Sequence, residues 1–478
     1  MIESSIAASG DRLRPAASLS PGVHFWRLFA SDGAATDGAP SPTWWFRVGR
    51  ADAPIDTSWG LTSDFDGDGY ADVAVTARDT AFVHLGGAGG LSALPVVELS
   101  AGWSTTASAA GDLNGDGFTD LLVSGTTITG GVASGATQVY LGGRGVFGVP
   151  DAVIGCVDCG PTGGVLATGI GDVDGDGYGD AALSAPAALD YTGIVHVHRG
   201  GPHGLSTSPT VLTGMGTSTV LGAWVSSGDV DGDGLSDLVV AGADTSPRPF
   251  FVFRGSPSGP STTPIAIQPP LGVDIFDFGR GLAVVGDLNA DGFADVAAAG
   301  CIDHVDCRGE VYVYHGSASG LPPQPSVVLT QAAAGAFDGS NFGIALSGID
   351  VDRDGYDDLL VGAPTNTLGL VGTVFIYRGG ASGLANAPSA ALSVPMASNF
   401  GSALARAADY DGDTIDDVAI GAPFAWGTVE RLGDGLVFEY LGPLRLDGSA
   451  TPSAILSAQM PPCGRPYTYS TQFGRSLN

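Results

Sequence analysis

Seven short stretches of the chain alternate apolar and polar positions with a period of two. They are AFVHLGG from Ala81, TQVYLGG from Thr137, IVHVHRGG from Ile194, FFVFRG from Phe250, EVYVYHG from Glu310, TVFIYRGG from Thr373 and LVFEYLG from Leu436. Valine, isoleucine and aromatics at that period, bounded by Gly, Ser and Pro clusters, predict β-strands. A second apolar run rich in β-branched residues precedes each stretch, and turns such as SASGL at Ser317 or ASGL at Ala381 follow, leading into short strands such as PSVVLT at Pro325. Further upstream an opening strand often begins with an aromatic and a glycine, as at Trp59-Gly60, Phe278-Gly279, Phe342-Gly343 and Phe400-Gly401. Each unit therefore reads as four strands without a helix.

Between the first and second strands of every unit lies an aspartate-rich segment: DFDGDGYADVAV from Asp64, DLNGDGFTDLLV from Asp112, DVDGDGYGDAAL from Asp172, DVDGDGLSDLVV from Asp229, DLNADGFADVAA from Asp287, DVDRDGYDDLLV from Asp350 and DYDGDTIDDVAI from Asp409. The intervals are 48, 60, 57, 58, 63 and 59 residues. That spacing is too long for helical-repeat units and suits a four-stranded blade. One such sheet cannot bury both of its faces, whereas seven arranged radially bury each against its neighbours. The expected fold is all-β, a seven-bladed β-propeller over residues 51–478.

Composition sharpens the picture. The chain has 478 residues, 19 basic ones that are all arginine, and 50 acidic ones, for a formal charge of −31. The absence of lysine excludes a Schiff-base lysine, a P-loop GK[ST] and a polybasic nucleic-acid or lipid patch. No run of 18 apolar residues suggests a membrane-spanning helix. Aspartate outnumbers glutamate 45 to 5. Aspartate favours turns and hard-cation sites over helix interiors. Hydrophobic content of 44% argues against disorder despite 76 glycines and 30 prolines.

Numbering each aspartate segment from its first residue, polar side chains stand at positions 1, 3, 5 and 9. They are Asp64, Asp66, Asp68 and Asp72 in loop 1; Asp112, Asn114, Asp116 and Asp120 in loop 2; Asp172, Asp174, Asp176 and Asp180 in loop 3; Asp229, Asp231, Asp233 and Asp237 in loop 4. Loop 5 has Asp287, Asn289, Asp291 and Asp295, loop 6 has Asp350, Asp352, Asp354 and Asp358, and loop 7 has Asp409, Asp411, Asp413 and Asp417. These 28 positions hold 26 of the 50 carboxylates. Close carboxylates repel by on the order of 1 kcal/mol per pair even in water, so the loops call for a counter-ion. Ca2+ accepts six to eight oxygens in loose geometry, whereas zinc asks for His or Cys, which these loops lack. Up to seven Ca2+ are expected. Glycine at position 6 of the first six loops suits a turn with positive φ; loop 7 has Thr414 there and is the weakest candidate. An EF-hand would require a glutamate at position 12 and flanking helices. Here a strand follows position 9 at once.

The aspartate loop, the Phe-Gly pairs and the segments Val361-Gly362-Ala363-Pro364 and Ile420-Gly421-Ala422-Pro423 together resemble the FG-GAP repeat of the amino-terminal propeller of integrin α subunits and of many bacterial secreted proteins. The resemblance covers about residues 55–478. It implies an extracellular adhesion or ligand-binding module whose partner is a protein or a surface glycan. The alternative is a lectin-like propeller or an accessory domain of a secreted polysaccharide-active enzyme. Partnering with a β subunit is not implied by anything in the chain. No nucleophile elbow, HExxH or phosphate loop is present, so no catalytic residues are expected. His196, His198 and His315 lie on the alternating strands and read as packed or surface imidazoles and not as bases. The loops in which the units differ, 125–136, 155–164, 300–309 and 424–434, are candidate partner surfaces.

The ends stand apart. GVHFWRLFAS and PTWWFRVGR within residues 1–50 predict a β-hairpin that resembles the last strands of a fibronectin-like or immunoglobulin-like domain. Asp11, Arg12 and Arg14 break any signal-peptide core, and an incomplete amino terminus is the expectation. Residues Gln472 to Asn478 read as the opening strand of an eighth repeat, expected to dock on the first blade and close the ring. Cys156 with Cys159 and Cys301 with Cys307 are spaced for local disulfides, leaving Cys463 unpaired; a redox or zinc half-site is the alternative for the CVDC pair.

Overall fold

The computed structural model describes residues 22–26, 44–48 and most of 63–457; residues 1–21, 27–43, 49–62 and 458–478 lie outside, as do short loop stretches, the longest being 157–164 and 424–434. Seven antiparallel sheets follow one another along the chain, each with its strands in sequence order. Blade 5 shows the plan: Phe276–Val284, Val296–Cys301, Gly309–Tyr314 and Val327–Thr330 pair consecutively. Blade 1 shows three strands, Val73–Ala77, Thr80–His84 and Val97–Leu99, because the segment expected to open it falls on undescribed residues. The seven-bladed all-β propeller is the observed architecture.

The apolar runs that read as second strands are buried on both faces, as in Val296–Cys301 and Asp358–Ala363, which have no exposed residue. A strand sandwiched between two neighbouring sheets has no solvent face, which is why these runs do not alternate. Fourth strands lie outermost and each exposes at least one residue, including Val153, Val211, Ile265, Val328 and Ile455. Among the described residues the core divides into seven clusters, each shared by two adjacent blades. The Phe-Gly pairs belong to these junctions. Phe342 packs with Val311 of blade 5 and Phe375 of blade 6. Gly343 has φ of 90°, and a Cβ there would meet Ala299 Cβ and Val311 Cγ2 at 2.7 Å, so glycine is required both by conformation and by the closeness of the neighbouring blade.

The seam between blades 7 and 1 is built like the other six. Val73, Val75 and Phe82 share a cluster with Ala419, Val437 and Leu456. One link is peculiar to it among the described residues. Glu439, fully buried, accepts the Leu91 N–H at 2.6 Å, at a place where the other third strands carry Val83, Val139, Val197, Val252, Val313 and Ile376. Blade 1 therefore meets blade 7 directly; the carboxy-terminal strand expected to close the ring, 472–478, lies outside the described residues.

Two expectations change. Residues 125–136 are not an irregular loop: Asp120–Thr129 and Val132–Tyr140 stay paired out to Thr129 opposite Val132, because the Thr- and Val-bearing sequence continues the strand alternation. The units are also not wholly free of helix. Gln331–Ala334 forms one turn, with Thr330 Oγ1 accepting the Ala333 N–H and Gly335 closing it in the left-handed region. Ala188–Tyr191 is a turn in which Leu189, Asp190 and Tyr191 all have positive φ. The strands Gly22–Trp26 and Trp44–Val48 pair antiparallel as the predicted hairpin.

Candidate metal centres

Each aspartate loop joins the first strand of a blade to its second, so all seven emerge at the same end of the ring. Short side chains there bond back to their own backbone, the habit that makes aspartate a turn residue. In loop 1, Asp64 Oδ1 accepts the N–H of Gly67 at 2.7 Å and of Asp68 at 3.2 Å, while Oδ2 accepts that of Gly69 at 3.0 Å. Loops 2, 3 and 4 repeat the set around Asp112, Asp172 and Asp229. Position 5 accepts the N–H of position 7, as Asp68 does from Tyr70 at 3.0 Å. The turn needs left-handed backbone at position 6, and Gly69, Gly117, Gly177, Gly234, Gly292 and Gly355 supply it with φ between 86° and 95°.

Position 9 plays a part the sequence did not reveal. Its carboxylate is fully buried in every blade and each oxygen takes a backbone N–H. Asp180 Oδ2 accepts from Val173 at 2.9 Å and Oδ1 from Gly200 at 2.8 Å; Asp417 accepts from Tyr410 and Gly442, both at 2.7 Å. Asp72, Asp120, Asp237, Asp295 and Asp358 make the equivalent pairs. One side chain thus ties loop position 2 to the turn after the third strand.

The structure brings together carboxylate oxygens within 4.8 Å of one another in five loops: Asp64, Asp66 and Asp72; Asp172, Asp174 and Asp180; Asp229, Asp231 and Asp233; Asp350, Asp352 and Asp358; and Asp409, Asp411 and Asp417. Position 5 joins such a cluster in loop 4 alone among the described residues. Loop 7 clusters although its position 6, Thr414, lies outside the described residues. Loops 2 and 5 have asparagine at position 3. There Asn114 Nδ2 donates to Asp116 Oδ2 at 2.9 Å and Asn289 Nδ2 to Asp291 Oδ2 at 3.0 Å, so the amide neutralises part of the site.

The electrostatics favour a cation. Burial pushes Asp120, Asp358 and Asp417 up to about 8, Asp180 and Asp237 to about 7 and Asp295 to about 6, against backbone hydrogen bonds that pull the other way. Asp72 is driven well above the ordinary carboxylate range for the same reason. Asp295 is held lowest because His315 Nδ1 lies 2.9 Å from its Oδ2. Desolvated like charges are stabilised by an opposite charge among them. Asp231 Oδ1 and Asp352 Oδ1 are buried without a protein hydrogen-bond partner. Oxygen-only donors with unsatisfied buried oxygens fit a hard divalent cation such as Ca2+ and do not fit zinc.

The loops also join blade to blade. The position-8 N–H of one loop donates to the position-1 carbonyl of the loop before it: Thr119 to Asp64 at 3.1 Å, Gly179 to Asp112 at 2.7 Å, Ser236 to Asp172 at 2.9 Å, and across the seam Ala71 to Asp409 at 2.8 Å. A second link runs from the turn after the third strand to the preceding position-2 carbonyl, from Gly143 to Phe65 at 3.0 Å through to Gly87 and Tyr410 at 2.9 Å, and occurs at all seven junctions. The side chain at position 7 covers the preceding loop's position 4: a Cβ on Gly67 would meet Phe118 at 2.3 Å and one on Gly412 would meet Tyr70 at 2.6 Å.

Basic side chains stand at the end of the third strand. Arg199 contacts Asp174 at 2.8 Å, Arg254 contacts Asp231 at 2.9 Å, and Arg378 pairs with Asp352. His315, at the same place in blade 5, lies against the loop carboxylate of Asp295. His198 is buried, with Nδ1 2.7 Å from the Ser206 carbonyl, and His196 is likewise buried in the same strand.

The family described as FG-GAP-like repeat matches residues 64–123 and 229–298, and the FG-GAP repeat matches 342–377. Integrin alpha-V of Gallus gallus is 34% identical over 208 residues, which are 41% of this chain and 19% of that protein. Integrin alpha-PS2 of Drosophila melanogaster is 32% identical over 222 residues, 44% of this chain and 15% of that protein. The chain thus spans about a fifth or less of these relatives. Among solved structures, a mutant of AofleA from Arthrobotrys oligospora aligns with TM-score 0.42 and 12% identity over 84% of this chain and 94% of that one. The chain carries FG-GAP repeats and is integrin-α-like over the matched residues.

Proposed function

We propose that this chain is an extracellular β-propeller that binds a protein or a surface glycan, and that its aspartate loops hold structural Ca2+, up to one per blade. The observation that carries the metal reading is the five carboxylate clusters, set where adjacent blades are hydrogen-bonded to one another. The ligands we assign are the side chains at positions 1, 3, 5 and 9 of all seven loops. When bound, Ca2+ supplies the charge that lets these desolvated carboxylates remain ionised, and it cross-links the loop. The residues themselves fix the turn, exclude water from position 9 and hold the next blade. Loops of this kind suit the calcium concentrations outside cells.

Integrin-like relatives support adhesion or ligand binding over catalysis. The partner surface we favour is the end opposite the aspartate loops, where the extended hairpin of blade 2 and the exposed Leu189 and Tyr191 stand. No helix among the described residues is long and apolar enough to cross a membrane. We read residues 1–50 as a segment of a separate β-sandwich. Disulfides Cys156–Cys159 and Cys301–Cys307 belong to the same extracellular reading, supported by the bonded state of Cys156 and Cys301. Thiol labelling of the unfolded chain checks them: one reactive cysteine before reduction and all five after.

Thermal melting with Ca2+ and with chelator tests the metal reading. Filling a site at 100-fold excess over Kd contributes about 2.7 kcal/mol, so several sites together raise the midpoint by at least about 5 °C. An unchanged midpoint overturns it. A glycan array run with Ca2+ separates the partner classes: capture of a simple sugar indicates a lectin, and silence directs the search to proteins.

A further inference from the structure

The seven third strands end on the same register position, and the next residue sorts the blades. Blades 1, 2 and 7 carry Leu85, Leu141 and Leu441, which pack against the inter-blade clusters. Blades 3, 4 and 6 carry Arg199, Arg254 and Arg378, each reaching the position-3 aspartate of its own loop. Position 3 is a member of every carboxylate cluster in these loops. The aspartates concerned are largely buried, with side-chain exposures of 3%, 6% and 12% for Asp174, Asp231 and Asp352, while the arginines are 36–49% exposed. Arg254 is also anchored to the next blade, Nη2 donating to the Ser319 carbonyl at 2.6 Å.

We infer that these three arginines are built-in counter-cations that grade the propeller's divalent-cation sites. Resting on the calcium reading above, this divides the all-aspartate loops into two classes. In loops 3, 4 and 6 a guanidinium already neutralises one donor, so Ca2+ must displace it or bind beside a like charge. In loops 1 and 7 the corresponding leucine has no charge to offer, and among the described residues no guanidinium is paired with the position-3 aspartates Asp66 and Asp411. A guanidinium within a few ångströms of the ion weakens binding by at least about tenfold at the effective dielectric of such sites. Loops 1 and 7 flank the seam, so the tight sites fall on the junction that closes the ring.

Calorimetric titration of the full chain with CaCl2 tests this. The native protein should show a tight class containing loops 1 and 7 and a class at least about tenfold weaker. The triple variant Arg199→Leu, Arg254→Leu, Arg378→Leu, which installs the residue blades 1, 2 and 7 already use, should transfer three sites to the tight class. The reverse variant Leu85→Arg, Leu441→Arg should empty it by a similar factor. Far-UV circular dichroism confirms that each variant is folded before titration. Calcium binding that neither set of substitutions alters overturns the inference while leaving the metal reading intact. A native chain that takes up no Ca2+ overturns both.

Discussion

The two ends of the ring solve different problems. At the aspartate end, connections are close to uniform, because each loop must satisfy its own amides and offer two carbonyls to the next blade. At the other end, the hairpins linking second and third strands run from residues 78–79 in blade 1 to 423–435 in blade 7, and blade 2 lengthens its strands out to Thr129 and Val132. Repetition persists where backbone groups depend on a neighbour; length and sequence vary where they face solvent.

Several measurements bear on that contrast. Chelation should have the largest effect. Amides of the aspartate loops, such as Gly69 and Gly177, should exchange hydrogen about a hundredfold faster per lost ion equivalent of 2.7 kcal/mol, while the Gly125–Ala136 pairing at the far end keeps its protection. Equal acceleration at both ends would erase the distinction. Next, Asp180→Ala removes acceptors for the Val173 and Gly200 amides and should cost about 2–5 kcal/mol in urea unfolding, even with calcium absent. A loss under about 1 kcal/mol would mean the position-9 clamp is dispensable. Asp66→Asn should cost less than about 1 kcal/mol in chelator, since loops 2 and 5 already use asparagine there. Smallest of all, Leu189→Ser, at an exposed far-end site, should change stability by no more than about 0.5 kcal/mol. If it instead unfolds the protein, the far end is structural after all.

Much of this was legible in the residues. The loop spacing, position-6 glycines and period-two strands were enough for the blades, and the Phe-Gly pairs marked the junctions. What escaped was whatever depends on residues some 20 or more positions apart. Position 9 read as a ligand and nothing more, because nothing linear shows that Asp180 also meets Gly200. Tyr70, Phe118 and Tyr178 at position 7 were a visible signal for an inter-blade contact, being large and apolar beside charged loops. The alternation of leucine with arginine after the third strand was visible too, but its meaning required the distance from Arg199 to Asp174. Residues 125–136 misled because the units differ there, which read as a loop, whereas the pairing between neighbouring strands prevailed.

A ring of near-identical blades also faces an addressing problem: any blade edge resembles the edge of any other. Glu439 answers it with a single polar key. Inserted where the other third strands hold valine or isoleucine, its buried carboxylate finds a donor at the Leu91 turn of blade 1. Against blade 4, whose turn carries Pro260 at that place and offers no N–H, it would be buried without a partner, a penalty of several kcal/mol. That wrong closure is disfavoured by one side chain, while the apolar surface remains interchangeable.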